Sequence, residues 1–320
     1  CAMKDHILSV KEKIGYGMGD AASHIIFDNV MLYMMFFYTD IFGIPAGYVG
    51  TMFLLARALD AISDPCMGLL ADRTRSRWGK FRPWILFGAI PFGLVCVLAY
   101  SSPDLSHNGK LIYAAVTYTL LTLLYTVVNI PYCALGGVIT RDEKDRLSAQ
   151  SYRFTISSLA GLMVSVATLF LVDFFGKENK QFGFQATMGI MGAIAIVMLA
   201  FCFFSTKERV APAVEQQGSI REDLRQLLAN DQWRIVAIIT FFSSMAGVMR
   251  SAATLYYATY LMLVGVESAA GTAMKSAFVS ASVVGTIIGS IAAGWLAKRY
   301  RAVSLFKNIN LLLVLVGVVM

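Results

Sequence analysis

Apolar residues in this chain occur in long runs, each separated from the next by a short polar segment. A run of about 20 apolar residues is long enough to cross the hydrocarbon core of a bilayer as an α-helix. The pattern therefore predicts an all-α, polytopic membrane protein with about nine spans. The ninth begins near residue 308, and the others are predicted at residues 15–38, 43–66, 84–101, 111–138, 153–174, 184–205, 234–262 and 272–297.

The composition favours the same class. Hydrophobic residues make up 57% of the chain and charged residues 15%, with a mean hydropathy of +0.64, whereas a soluble domain carries about 25% charged residues. These values exclude a soluble globular protein, and the high hydrophobicity excludes a disordered one. The five cysteines are too few for a disulfide scaffold of this length.

Lysine and arginine are concentrated in alternate polar segments. Twenty of them lie in the N-terminus and in segments 72–82, 141–146, 206–234 and 298–307, and the other polar segments hold three. Because basic loops stay in the cytoplasm, the asymmetry predicts a cytoplasmic N-terminus. The net charge of +7 is thus an orientation signal, so we expect a lipid bilayer and no nucleic acid as partner.

The longest polar segment predicts the domain organisation. It joins a flexible stretch at 215–219 to an amphipathic stretch typical of a helix on the membrane surface. The predicted domains are an N-terminal six-helix bundle (1–205), a cytoplasmic linker with an amphipathic helix (206–233) and the incomplete start of a C-terminal bundle (234–320). The 13 residues from Asn308 to Met320 are too few to cross a bilayer. We therefore expect a part of a longer transporter.

Ionisable residues inside the first predicted span are candidates for function, because such a residue costs roughly 2.5–3.5 kcal/mol at the bilayer centre. Asp20, His24 and Asp28 recur every four residues and share one helix face. This polar stripe either lines a cavity that hydrogen-bonds a polar solute, which is the interpretation we favour, or packs against polar groups of neighbouring helices.

The second predicted span carries Arg57, Asp60 and Asp64 on one face. Two carboxylates one helical turn apart are about 6 Å from each other, and they repel unless one keeps its proton. A sodium ion or a proton removes this repulsion, and the hydroxyls of Ser63 and Thr126 are further oxygen ligands. Alternatively, Arg57 pairs with one carboxylate in a buried ion pair, although it cannot neutralise both.

Three other spans contain polar residues with two interpretations each. Asn129, close to Pro131 and Cys133, either points into the bundle at a helix kink or has a structural role. Arg153 either enters the bundle or extends to the cytoplasmic interface. Arg250 either binds a carboxylate or a sugar hydroxyl, or pairs with a helix of the other bundle.

The sequence carries no signature of an enzyme or of a zinc site. The three histidines, His6, His24 and His107, lie far apart and have no cysteine at metal-ligand spacing. The glycine-rich run at 15–19 follows no predicted strand, which excludes a dinucleotide loop. We therefore expect no enzymatic activity, no cofactor and no metal beyond a coupling cation.

Six short segments carry a family resemblance. They are residues 13–20 (KIGYGMGD), 38–40 (YTD), 56–65 (ARALDAISDP), 72–84 (DRTRSRWGKFRPW), 129–132 (NIPY) and 153–154 (RF). Together they resemble the glycoside–pentoside–hexuronide:cation symporters, a family of the major facilitator superfamily typified by the melibiose carrier. The likeness is densest in residues 13–154 and thin after the central polar segment.

The resemblance implies a twelve-helix carrier of the bacterial inner membrane that works by alternating access. It further implies coupling to Na⁺, Li⁺ or H⁺, with Asp60 and Asp64 as cation-binding carboxylates and Thr126 as a hydroxyl ligand. Ser63 stands where the melibiose carrier has an asparagine ligand, which leaves H⁺ open beside Na⁺.

The resemblance also bears on the sugar. Arg153 matches a sugar-binding arginine of the family. His24 and Asn129 replace the two aspartates that hold galactosyl hydroxyls in the melibiose carrier, and Cys133 replaces its stacking tryptophan. These departures argue against a galactoside and leave a hexuronide, a pentoside or another glycoside as substrate.

We therefore predict a sugar:cation symporter that is functional as a monomer when full length. Its basic loop, with Asp72, Arg73, Arg75 and Lys80, is predicted to be a cytoplasmic latch between the two bundles, or else to serve orientation alone. One competing hypothesis is a non-transporting membrane protein of the same fold, such as a sugar sensor. Another is a carrier for a lipid or a drug.

Overall fold

The computed structural model describes residues 8–177, 179–210, 225–226 and 228–257, with backbone only for 247–257, and short stretches between 284 and 311. These residues form helices and no strands, which confirms the predicted all-α class. Four of the described helices are long and apolar enough to cross a membrane. The predicted eighth and ninth spans lie mostly outside the described residues, and the amphipathic stretch of the linker lies partly outside them.

Seven helices correspond to the first seven predicted spans. The first, α1 (Val10–Asn29), continues into two π-helical segments, Val30–Met34 and Phe37–Ile41. The others are α2 (Ala46–Arg73), α3 (Arg82–Ala99), α4 (His107–Val138), α5 (Glu143–Gly176), α6 (Lys180–Ser205) and α7 (Asp231–Tyr257). Both α2 and α4 continue through an internal proline.

Polar side chains set the starts of several helices by accepting hydrogen bonds from backbone N–H groups that have no partner inside the helix. At α1, the Ser9 hydroxyl accepts from Glu12 N, and the Glu12 carboxylate accepts from Ser9 N at 3.0 Å. At α5, Asp142 accepts from Lys144 N at 2.8 Å. This cap explains why α5 begins before the predicted residue 153.

The chain divides into two compact units, Cys1–Ala211 with Ile287–Met320, and Pro212–Thr286. In the first unit, α1 packs against α5 and α6, α3 packs against α4 and α6, and α2 packs against α4. Large apolar side chains such as Phe87, Leu94 and Phe170 are exposed, as expected for a surface that faces lipid. In the second unit, α7 is the described helix. The predicted division into two bundles and a linker stays a prediction.

Candidate functional site

Asp20 and Arg153 form an ion pair between α1 and α5. Arg153 Nη2 lies 3.0 Å from Asp20 Oδ1, and Ser157, one turn further along α5, donates its hydroxyl to Asp20 Oδ2. Asp20 is only 3% exposed. Arg153 therefore enters the bundle, which is one of the two alternatives that the sequence left open. Ser157 was not among the residues predicted from the sequence, although its spacing of four from Arg153 places both on one helix face.

The guanidinium group of Arg153 is held by further contacts. It lies 5.4 Å from the ring centroid of Tyr132 and 5.4 Å from that of Phe154, and its Nη1 donates to Gln150 Oε1 at 3.4 Å. The Nε atom is buried and has no hydrogen-bond partner among the described residues. A negatively charged ligand that approaches Arg153 thus has to compete with Asp20.

His24 and Asp28 form the accessible part of the α1 stripe. His24 Nδ1 lies 3.3 Å from both carboxylate oxygens of Asp28, and His24 Nε2 lies 3.9 Å from Asp20 Oδ2. Nδ1 donates to this carboxylate in the imidazole form that carries its proton on Nδ1. The His24 side chain is 41% exposed and that of Asp28 23%, so this pair can hydrogen-bond a solute.

The acidic residues of α2 have different partners. Arg57 Nη1 lies 3.2 Å from Asp60 Oδ2, and the other oxygen of Asp60 is buried without a hydrogen-bond partner among the described residues. Asp64 Oδ1 accepts a hydrogen bond from Thr126 Oγ1 of α4 at 2.9 Å. The hydroxyl of Ser63 donates to the backbone carbonyl of Asp60 at 3.5 Å. With both carboxylates ionised, Arg57, Asp60 and Asp64 carry one net negative charge.

A cavity of about 20 Å³ adjoins Asp60 and Arg57. Its polar lining includes Arg57, Asp60 and Thr122, and its apolar lining comes from α1, α3 and α4. A cavity of 10–15 Å³ by this measure holds about one water molecule. The space beside Asp60 thus fits one small particle, a water molecule or a monovalent cation, but not a sugar.

A second cavity of about 640 Å³ lies beside α1 and α5. Its lining is largely apolar, with residues such as Ile14, Tyr152 and Trp295, and contains none of the predicted site residues. Its polar lining consists mainly of hydroxyl groups, without a carboxylate or another charged group, so it has no anionic group with which to bind a cation. The candidate site therefore centres on the charged clusters of α1 and α2.

Two predicted substrate residues lie together on α4. Cys133 Sγ is 3.9 Å from Asn129 Oδ1, and the cysteine is exposed. The helix continues through Pro131, and Asn129 is half-buried. Arg250 belongs to α7, but its side chain lies outside the described residues.

The predicted latch residues surround the turn between α2 and α3. Asp72 and Arg73 are exposed in the last turn of α2, Arg75 is exposed in the loop and Lys80 is half-buried. The backbone of this loop donates hydrogen bonds to Glu208, which was not among the residues predicted from the sequence. The available signal was a carboxylate inside a basic segment directly after the sixth span.

Comparison with known proteins gives the family. A family model described as MFS/sugar transport protein matches residues 15–320. The inner membrane symporter YicJ of Escherichia coli K12 is 61% identical over 319 residues, which cover 99% of this chain and 67% of YicJ. The putative glycoside/cation symporter YagG of the same organism is 45% identical over 300 residues, or 94% of this chain and 64% of YagG.

A third relative is the isoprimeverose transporter of Lactiplantibacillus pentosus. It is 34% identical over 291 residues, which cover 90% of this chain and 59% of that protein. The chain thus spans about two thirds of the length of the curated relatives that it matches.

Proposed function

Since this chain belongs to the MFS/sugar transport protein family, a family of transporters rather than enzymes, we propose that it is part of a cation-coupled symporter for a glycoside. The protein works by alternating access in the inner membrane, with its N-terminus in the cytoplasm. The observation that carries the proposal is the pair of acidic residues on α2, of which Arg57 neutralises one.

The charges of this pair support coupling to one monovalent cation. A net negative charge in a low-dielectric environment is costly, and Na⁺ or H⁺ at Asp60 and Asp64 removes it. Asp64 offers the oxygen atoms for this cation, since its partner is the neutral hydroxyl of Thr126. The unpartnered oxygen of Asp60 offers a further ligand or a proton acceptor. When a cation is bound, burying this site costs less free energy than when the site is empty. Cation binding therefore favours the conformational change between the outward-open and inward-open states.

The sugar site is proposed around the polar stripe of α1. His24 and Asp28 provide hydrogen-bonding groups that are partly exposed, and Asn129 and Cys133 on α4 complete the proposed wall. Because Arg153 is already paired with Asp20, a neutral glycoside fits this site better than a hexuronide. One relative is named an isoprimeverose transporter, and we propose a sugar of this neutral kind as substrate.

The test uses the full-length transporter in membrane vesicles with imposed Na⁺ or pH gradients and a panel of neutral glycosides and glucuronides. We expect concentrative uptake of a neutral glycoside and no inhibition by glucuronides. Both Asp60→Asn and Asp64→Asn are expected to abolish gradient-driven uptake, because the site no longer needs a cation.

The matched control is Asp104→Asn, which removes a carboxylate from an exposed position between α3 and α4. This variant should transport like the wild type. Unchanged gradient-driven uptake in the Asp60 and Asp64 variants contradicts the cation site, and sugar binding without any uptake identifies a sensor instead of a symporter.

A further inference from the structure

The carboxylate of Glu208 lies at the amino-terminal end of α3. It accepts hydrogen bonds from three consecutive backbone N–H groups, those of Lys80 at 2.8 Å, Phe81 at 2.8 Å and Arg82 at 3.0 Å. The first turn of a helix leaves such groups without intrahelical partners, and α3 has no side-chain cap from its own flanking residue. Glu208 therefore caps α3 from the segment that follows α6.

Gly79 leaves the space that this carboxylate needs. Its φ of +110° is a backbone conformation that residues with a side chain rarely adopt. A Cβ atom at this position would also collide with the carboxyl group of Glu208. The position of the Glu208 carboxylate therefore requires a glycine at residue 79.

The same loop has a second connection to α6. Arg82 Nη2 donates to the backbone carbonyl of Phe203 at 2.7 Å, and the guanidinium group lies 4.5 Å from the centroid of the Phe203 ring. Trp78 packs edge-on against Phe203 at 5.9 Å between ring centroids. The loop is thus fixed to the end of α6 by polar and aromatic contacts.

The loop is also held internally. Ser76 Oγ donates to the Gly79 carbonyl at 2.7 Å and accepts from Trp78 N at 3.1 Å. Trp84 Nε1 donates to Thr74 Oγ1 at 2.9 Å. These bonds hold the loop in one shape.

The segment that follows α6 contacts two other helices. The backbone N–H groups of Arg209 and Val210 both donate to the Val138 carbonyl at the end of α4, at 2.9 Å. The Arg209 side chain forms an ion pair with Glu12 at the start of α1. Residues 206–210 therefore join the cytoplasmic ends of α1, α3, α4 and α6.

We propose that Glu208 is a positioning residue for the predicted latch. It holds the loop between α2 and α3 in place, and it transmits any displacement of the segment after α6 to that loop. Glu208 acts through Lys80, Phe81 and Arg82, and it binds neither cation nor sugar. This inference rests on the proposed symport function and adds a residue that sets the rate of its conformational change.

The first experiment replaces Glu208 in the full-length transporter. In Glu208→Gln, an amide NH₂ group replaces one of the two acceptor oxygens, so one backbone N–H loses its partner. We expect tryptic cleavage after the exposed Arg77, measured in inside-out vesicles, to become roughly tenfold faster, as for the loss of a hydrogen bond to a charged group. The maximal uptake rate should fall severalfold, while the affinity for sugar stays at the wild-type value.

The matched control is Lys207→Gln, which removes a charge from the neighbouring exposed position. It should leave both cleavage and uptake unchanged. A variant that is destabilised as a whole would have a lower sugar affinity as well as a lower uptake rate. Thermal unfolding of each purified variant detects such a general destabilisation.

A second variant tests the same contact from the other side. In Gly79→Ala the new methyl group displaces the Glu208 carboxylate and the φ of +110° adds backbone strain, so we expect cleavage at least as fast as in Glu208→Gln. If both substitutions break one contact, adding Glu208→Gln to Gly79→Ala gives no further increase, and the double variant is cleaved no faster than Gly79→Ala. Additive effects on the cleavage rate would show that the two residues act independently and would overturn the proposal.

The cleavage assay needs no sugar, so its result does not depend on the symport function. Unchanged cleavage in Glu208→Gln overturns the positioning role, and faster cleavage with an unchanged uptake rate overturns the role in turnover. Absence of gradient-driven uptake in the wild type rejects the symport function and with it the role in turnover, while the cleavage rates still decide whether Glu208 positions the loop.

Discussion

The carboxylates on α1 and α2 differ in how far their charge is compensated. Asp20 is matched by Arg153, and Asp60 by Arg57. Asp64 receives the neutral hydroxyl of Thr126. Desolvation costs the most free energy for a charge that has no opposite charge beside it. A cation that binds at Asp64 therefore lowers the free energy more than one that binds at Asp20 or Asp60.

Substitution of Thr126 tests whether a cation binds at Asp64, because it changes a single oxygen atom of the proposed site. Thr126→Ala removes a ligand from the proposed site, so the cation concentration for half-maximal uptake should rise about tenfold. Thr126→Ser keeps the hydroxyl and should retain most of the wild-type affinity. The measurement is uptake against Na⁺ concentration or pH, and an unchanged cation dependence in Thr126→Ala would exclude this hydroxyl as a ligand.

Gly161 offers a way to move Asp28 without changing any charge. A Cβ atom at Gly161 on α5 would lie 2.9 Å from Asp28 Oδ2, so Gly161→Ala should displace that carboxylate from His24. We expect a severalfold loss of sugar affinity with unchanged cation dependence, measured by binding and uptake. Gly189→Ala on α6 is the control, since a Cβ atom there meets no atom within 4 Å. Equal effects of both substitutions would contradict a role of Asp28 in the sugar site.

At the scale of helices, the start of α1 is fixed by several polar contacts. Lys13 Nζ lies 2.9 Å from Asp145 Oδ1 of α5. Burial alone would raise the pKa of Glu12, but hydrogen bonds from Arg209 and Ser9 outweigh it and hold the pKa below its ordinary value of 4.5. A carboxyl group with a lowered folded-state pKa stabilises the fold above its unfolded-state pKa, and this contribution disappears as the pH falls through the folded-state pKa.

The corresponding prediction concerns the pH dependence of stability. Glu12→Gln should lower the free energy of unfolding by about 1 kcal/mol at neutral pH, and the difference from the wild type should shrink as the pH falls below about 4. Thermal unfolding of the purified full-length protein over this pH range measures it. Glu143→Gln, at an exposed position in the first turn of α5, is the control. A difference for Glu12→Gln that persists at low pH would show that its charge is not the cause.

At the scale of the whole molecule, the cation and sugar sites are expected to influence each other. If a saturating cation raises the affinity for sugar by some factor, saturating sugar must raise the affinity for the cation by the same factor. We expect a factor in the usual range of about 5 to 150. Asp64→Asn should reduce it to about one. Isothermal titration of the full-length protein measures both factors, and two unequal factors would require a further binding site.

The sequence alone determined the structural class and the family. The length and hydrophobicity of a run are local properties, so seven spans could be predicted, and the described helices have similar bounds. The resemblance to the symporter family is confirmed by the match over residues 15–320 and by the identities to named symporters. The spacing on α2 left an ion pair of Arg57 with one of the two carboxylates as an alternative, because residues three or four apart are neighbours on any helix, and the structure pairs Arg57 with Asp60.

Only the tertiary structure decided which distant groups meet. The sequence left the orientation of Arg153 open, and the packing of α1 on α5 selected Asp20 as its partner. The bond between Thr126 and Asp64 likewise depends on the packing of α4 on α2. The cap that Glu208 places on α3 joins residues more than 120 positions apart. Which faces of two helices are in contact depends on how the side chains of both helices pack together. The local pattern of apolar and polar residues in one segment does not contain this information.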